Sequence, residues 1–561
     1  MISLFATIVA LIPIVVQAAT QNVELNLGQF TGSPDGYQTN IYGANNQMEF
    51  PIVINKGDLL SLKVNNKLGL PTAIHCHGLF QRGTPYYDGA SGVSQCPIAD
   101  QDSLQYDISV PDQHGTFWWH AHHKAQYVKG LRGPLIIKDP SNEPYTADYD
   151  EEYIVMLTDW FHAQHSSDIL DPFMISTTGN EPIPDSGLIN GKGRYNCSMA
   201  TDKTVPCISN APLTRFDFTP GKRYRLRVIN AGSMAVFNFS IDGHKMTVIE
   251  ADGVDTAKTV VDGIRISVAQ RYSVIVEANA APGNFWMRAD IDTGLYTVYQ
   301  EGILTPTIRA IVSYTQSDAD PTSSPVAANA VMLNQYKLMP VVQDPISPRV
   351  NQSLILSFGI LADTDNIFKA FTSVDGHFTD SVYKMPANSP TLMSAINNQP
   401  FEPSANVVPV VNGQTIQLTI YNDDPMEHTF HLHGHTFQIV GTGVQLNLKP
   451  AQHAAKVMYP ERDTVTVPAC KIKANNTGGE GGACGGTKGY VTIRFRANNP
   501  GAWLFHCHIE WHIMQGLGIT FVTAGKELQT MKLPPRMVDG CARSGVKLNA
   551  TRFWAPPRIG M

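Results

Sequence analysis

The sequence predicts an all-β chain of three similar domains. Three observations carry this: strictly alternating strands, turn residues spread without a period, and a strand-and-box unit that recurs. Tyr224, Leu226 and Val228 alternate with Arg223, Arg225 and Arg227, and Val491, Ile493 and Phe495 alternate with Thr492, Arg494 and Arg496. Such alternation reads as half-buried strands, because successive side chains project to opposite faces. The 45 Gly and 37 Pro lie scattered as turn punctuation, which excludes collagen-like and low-complexity chains. At 561 residues and 43% hydrophobic content, there is chain enough for roughly three or four domains with buried cores.

Taken in order, the first element is a leader. Residues 1–19 are apolar and end in small residues, as a secretory signal peptide cut near Ala18 or Ala19 would. Sequons at Asn196, Asn238, Asn351, Asn475 and Asn549 agree with export, so a secreted, extracellular or cell-wall protein is expected. No later stretch reaches membrane-spanning length, so a soluble monomer without a membrane anchor is expected. The 41 basic and 48 acidic residues give a net charge of -7 without a basic run, which argues against nucleic acid as a partner.

The repeat defines the domains. Gly57 opens a strand and His75 begins an H-x-H-G box 18 residues later; Gly413 and His431 repeat the spacing. Gly115 precedes His120-Ala121-His122 by five residues, and Gly501 precedes His506-Cys507-His508 by five. A middle copy has lost its histidines: Gly221 leads to Ser240, Asp242 and Gly243, and Gly283 leads to Arg288-Ala289-Asp290. Boundaries are expected near residues 148 and 320, giving domains 20–148, 149–320 and 321–561. Of the eight cysteines, Cys197 with Cys207 and Cys470 with Cys484 are the preferred local pairs, leaving Cys96 with Cys541. Six cysteines allow 15 pairings, so spacing alone leaves the others open. Cys76 and Cys507 remain, each between two histidines.

Chance predicts about 0.6 His pairs at spacing two. The chain has five. In a strand, residues i and i+2 share a face, so each pair offers two imidazoles to one site. The box HCHIEWH selects the metal: a thiolate with two imidazoles is the blue-copper pattern, and Cys507, His512 and a distant His supply it. Cys507 points away from His506 and His508, so one strand touches two metal sites. Zinc fits poorly, having no redox chemistry and no use for eight clustered imidazoles.

In these residues the chain resembles the multicopper oxidases, specifically the fungal laccases and laccase-like ferroxidases. Four boxes carry the resemblance: HCHGLFQRGTPYYDGASGVSQCPI, GTFWWHAHHKAQYVKGLRG, HTFHLHGH and WLFHCHIEWHIMQGLG. It implies three cupredoxin-like Greek-key β-sandwich or barrel domains and four copper ions: one type 1, one type 2 and two type 3. The resemblance places type 1 copper on His428, Cys507 and His512, and type 2 on His75 and His431. It places the type 3 pair on His77, His120, His122, His433, His506 and His508, with His123 and His435 as non-ligands. The axial position falls on Leu517 rather than Met514; leucine cannot coordinate, which raises the copper potential.

Reduction of dioxygen to two waters takes four electrons and four protons. The resemblance points to Asp88 and Glu510 as carboxylates beside the cluster, either relaying protons or orienting imidazoles. Cys76 stands where the family usually has an aromatic residue and is read as a buried free thiol; Val128 replaces a cysteine common in laccases. Electrons are expected to enter at an exposed edge of His512 or His428. Glu181 in NEPIPDSG and Asp424 in DDPMEH match the Fe(II)-binding acids of the ferroxidases. A third acid is not clearly placed, with Tyr296 at its position and Asp292 nearby. A laccase-type oxidase of phenolic or related aromatic donors is the first reading, and a ferroxidase using Glu181 and Asp424 is the alternative. A copper store would need Met- or Cys-rich motifs, and the 18 Met are dispersed. The Gly-rich stretch 471–486 reads as an exposed insertion.

Overall fold

The computed structural model describes residues 19–546, apart from 297, 328, 344–345, 347–348, 446–457, 472–483, 485–486 and 524. The expected leader up to residue 18, the tail after 546, Asn475, Asn549 and most of the Gly-rich stretch lie outside the described residues. Strands dominate and form six sheets in three pairs. Two four-stranded sheets come from Thr20–Gly32 to Arg132–Lys138, and a six- and a five-stranded sheet from Glu151–Trp160 to Arg309–Ser313. A seven- and a five-stranded sheet follow, from Gln352–Ala362 to Gly518–Thr523. These are three similar β-sandwiches, as the repeat predicts, of the cupredoxin-like form that the resemblance implies. No helix among the described residues is long and apolar enough to cross a membrane.

The repeated glycines explain the repeated topology. Gly57, Gly221 and Gly413 have φ of +90°, +84° and +81°, a left-handed turn that any Cβ would strain. Each opens a strand that pairs in parallel with the first strand of its domain: Leu59–Asn66 with Thr20–Gly32, Arg223–Asn230 with Glu151–Trp160, Thr415–Asn422 with Gln352–Ala362. One hydrophobic cluster fills the first sheet pair, and another runs through the second and third. Residues 331–339 run along the middle domain, where the Leu333 N–H donates to Gly263 O at 3.0 Å and Ala257 N–H to Met339 O at 2.8 Å.

The strands expected to be half-buried are buried on both faces along their middles, with the end residues Arg223 and Arg496 reaching water. Arg225 and Arg227 are both 1% exposed, because their face turns toward the first domain instead of water. Arg225 pairs with Glu143 at 2.6 Å and Glu250 at 2.7 Å, and Arg227 with Glu152 at 2.9 Å. Glu250 also accepts the Thr116 N–H at 2.6 Å, anchoring the strand Gly115–Ala121 that carries the second box. The strand Lys488–Arg496 likewise buries Thr492 and Arg494. Disulfides join Cys197 to Cys207, Cys470 to Cys484 and Cys96 to Cys541, the last fastening the C-terminal helix Pro535–Arg543 to the first domain.

Candidate metal centres

Alternation on two neighbouring strands builds both centres. His428–Leu432 lies antiparallel to Gly501–Cys507, with Phe430 opposite Cys507 and His431 opposite His506. Cys507 therefore faces the inside of the third domain while His506 faces the first. The chain then turns into the short helix Glu510–Gln515, which returns His512 to the thiol. Cys507 Sγ lies 3.8 Å from His428 Nδ1 and 3.6 Å from His512 Nδ1, all three buried. Burial works against the thiolate, but the two imidazoles outweigh it and bring the Cys507 thiol down to about 7. Burial also opposes a charge on His512, yet Cys507 and Glu181 push it up to about 10. The pair thus favours the thiolate, the form that binds metal. Leu517 is fully buried and its carbonyl accepts the Cys507 N–H at 3.1 Å.

Eight other histidines converge between the first and third domains. Their ring nitrogens form three groups: His75, His77 and His431; His77, His120 and His508; His122, His433 and His506. His75 stacks on His433 with centroids 4.0 Å apart, and His77 on His431 at 3.7 Å. Backbone carbonyls and one carboxylate hold the outward nitrogens. His75 Nδ1 meets Asp88 O at 2.6 Å, His120 Nδ1 meets Ala121 O at 3.0 Å, and His431 Nδ1 meets Asp463 O at 2.9 Å. The inward nitrogens His75 Nε2, His120 Nε2, His431 Nε2 and both of His508 are buried with no hydrogen-bond partner. Orphaned buried nitrogens are costly unless something else binds them, so this donor set fits metal ions. Burial first, then mutual repulsion, holds His77, His120, His431, His506 and His508 well below the usual imidazole range. Neutral rings are ready ligands.

The carboxylates divide into two kinds. Asp88 is fully buried, 2.9 Å from His433 Nδ1 and 3.4 Å from His75 Nδ1. Burial raises it, but those imidazoles outweigh burial and hold it well below the carboxylate range. Gly89 makes this placement possible: a Cβ there would stand 1.8 Å from Ile74 O. Glu510 touches no imidazole in this way. It accepts the Ala125 N–H at 2.8 Å, lines a cavity with His120, His122, His506 and His508, and is pushed up to about 7 by burial.

At the outer centre, the expected exposed imidazole edge is absent. His428 and His512 are both fully buried, because buried acids cap them. Glu181 Oε1 lies 3.2 Å from His512 Nε2, and Asp424 Oδ1 lies 3.3 Å from His428 Nε2. Neither candidate third acid joins them. Asp292 is paired with Arg265 at 2.9 Å, which also holds Glu427 at 2.6 Å, and Tyr296 is a buried phenol.

His123 bonds Ser91 at 3.1 Å and His435 Nδ1 meets His433 O at 3.1 Å; neither enters a metal-ligating group among the described residues. Cys76 lies opposite Trp119 in the core, its thiol pushed up to about 12 by burial. Asp463 is the residue that sequence reasoning missed. Its carboxylate lies 3.5 Å from His77 Nε2, yet no box or spacing marks it.

Three stacked β-sandwiches with a thiolate–imidazole centre and a buried imidazole cluster define a copper-dependent oxidoreductase. Models of the multicopper oxidase family match residues 26–142, 151–317, and 374–478 with 486–527. Laccase-4 of Thanatephorus cucumeris is 36% identical, covering 95% of this chain and 93% of that protein. The iron multicopper oxidase fer1 of Mycosarcoma maydis is 33% identical over 92% of this chain and 82% of its own length. Among solved structures, Fet3p, a multicopper oxidase that functions in iron import, superposes with a TM-score of 0.80 at 28% identity, covering 94% of this chain and 95% of its own. The laccase from Botrytis aclada gives 0.79 at 31%, covering 94% and 92%. The chain belongs to the multicopper oxidase family.

Proposed function

We propose that this enzyme is a secreted blue oxidase with four coppers that draws electrons from Fe(II) through Glu181 and Asp424 and reduces dioxygen to two waters. His428, Cys507 and His512 would hold the type 1 copper, and His75 and His431 the type 2. His77, His120 and His508 would hold one type 3 copper, and His122, His433 and His506 the other. When bound, the coppers supply one-electron redox chemistry, one centre for entry and three for delivery to dioxygen. The sheet pairs correspond in this reading to domains 20–148, 149–320 and 321–561, and the three disulfides suit an oxidising compartment.

The observation that carries the donor assignment is the pair of carboxylates on the outer nitrogens of His512 and His428, at 3.2 and 3.3 Å. Both imidazoles are fully buried, and the acids on them keep the remaining exposure, 7% for the Glu181 side chain and 13% for that of Asp424. Hard oxygen ligands favour ferrous iron and stabilise ferric product. The hydrogen bonds then link each acid directly to a type 1 ligand. At the other end, Glu510 is poised near neutrality to hold and pass a proton at the cavity wall, while Asp88 orients His75 and His433. A phenolic donor is the second reading, with Glu181 taking the phenol proton; the match to Laccase-4 over 93% of its length favours it.

Oxygen uptake with Fe(II) and with a dimethoxyphenol, corrected for iron autoxidation, separates the two. The Glu181→Ala/Asp424→Ala enzyme should lose its preference for iron, with Fe(II) turnover about 10–100-fold slower. Fast phenol turnover with slow iron turnover in both proteins would establish the laccase reading instead.

A further inference from the structure

The middle domain carries no histidine box, yet two of its buried side chains hold the segment that borders the histidine cluster. Arg271 lies in the middle-domain strand Arg271–Glu277 and is fully buried. Its guanidinium forks onto Asp463 of the third domain, with Nη1 donating to Oδ1 and Nη2 to Oδ2, both at 2.6 Å. Its Nε donates to Thr116 O of the first domain at 3.0 Å, so one side chain ties three domains together. Asp252, also from the middle domain, grips the flanking residues: it accepts from Arg462 Nε at 2.8 Å and from Thr464 Oγ1 at 2.6 Å. The segment Arg462–Asp463–Thr464 is thus held from both sides.

That segment touches two histidines. The Asp463 carbonyl accepts from His431 Nδ1 at 2.9 Å, which turns His431 Nε2 inward. The Asp463 carboxylate lies 3.5 Å from His77 Nε2, and both ring nitrogens of His77 are buried without a hydrogen-bond partner. Room for the fork is provided by Gly78 of the first box, where a Cβ would stand 2.7 Å from both Arg271 Nη2 and Asp463 Oδ2. The glycine of H-x-H-G is therefore needed for the clamp as well as for its own φ of +90°.

We propose that Arg271 is a positioning residue of the trinuclear site: by fixing Asp463 it sets the orientation of His431 and His77, and thereby the retention of type 2 copper. A bidentate guanidinium–carboxylate pair fixes distance and plane together, which a lysine ammonium cannot do. The role of the middle domain in this account is to supply the brace, while the outer domains supply the ligands. The inference rests on the reading that His75 and His431 hold the type 2 copper.

The test uses the copper-loaded full chain, with Arg271→Lys as the main variant because it keeps a buried cation opposite Asp463, and Arg271→Met as the stronger one. Copper per chain, the type 2 electron paramagnetic resonance signal, and the blue absorption of the type 1 centre are read during challenge with a chelator. In the expected result, Arg271→Lys keeps the blue absorption and loses type 2 copper about 10–100-fold more readily than the unaltered protein. Arg271→Met should do so at least as strongly wherever it folds, judged by its blue absorption. An Arg271→Lys protein with unaltered type 2 signal and retention overturns the clamp. A His431→Ala protein that keeps the type 2 signal overturns the ligand reading beneath it, whatever Arg271 does.

Discussion

The same strand pair occurs three times, and only the outer copies hold imidazoles. His75 stands opposite His120, His431 opposite His506, and Ser240 of the middle domain opposite Arg288. At the outer positions, buried nitrogens are left without partners. At the middle position, Arg288 forks onto Asp242 at 2.7 Å through both Nε and Nη2, so the polar groups satisfy one another. The scaffold is indifferent to which occurs. A sandwich whose outer face carries an Arg–Asp pair is complete by itself, whereas one whose outer face carries two neutral imidazoles is completed by a metal ion.

Four changes break or sharpen that contrast. Cys507→Ser removes the thiolate and makes the last box as redox-silent as the middle one: blue absorption and oxygen uptake with every donor should be abolished. Asp242→Ala breaks the self-satisfied pair and strands Arg288, costing about 3 kcal/mol in a denaturant titration while copper content stays the same. Glu510→Gln removes the cavity carboxyl without touching a ligand; turnover should fall about 100-fold with copper content and the blue absorption intact. The smallest effect concerns acid. His77, His120, His431, His506 and His508 have folded-state pKa values below their unfolded values, so the unfolded chain takes up more protons. Stability of the metal-free protein is then full above about pH 6.5 and falls as pH drops below it, which thermal melts at pH 7.5 and 5.5 would register.

Much of the site was legible because strand chemistry is local. Period-two alternation puts His75 with His77 and His506 with His508 on common faces, and turns Cys507 to the other side. The repeat of Gly57 and Gly413 located the boxes, and the register of Ser240 with Arg288 follows the spacing from Gly221 and Gly283. Burial was less legible. Arg225 and Arg227 look like a wetted face, and only the neighbouring domain, with Glu143 and Thr116, makes them internal. The covered imidazole edges of His428 and His512 were missed for the same reason: Glu181 approaches His512 from 331 positions away.

The sequence by itself determined the class of chemistry. Thiolate and imidazole are chosen by residue type, and a two-residue period delivers them to one face. Tertiary structure alone decided what surrounds those ligands: that Glu181 reaches the outer nitrogen of His512, that Asp463 reaches His77, and that Arg271 holds Asp463. Such contacts join residues 192 positions apart for Arg271 and Asp463 and 331 apart for Glu181 and His512. No local period encodes them, because they exist only where separately folded sandwiches meet.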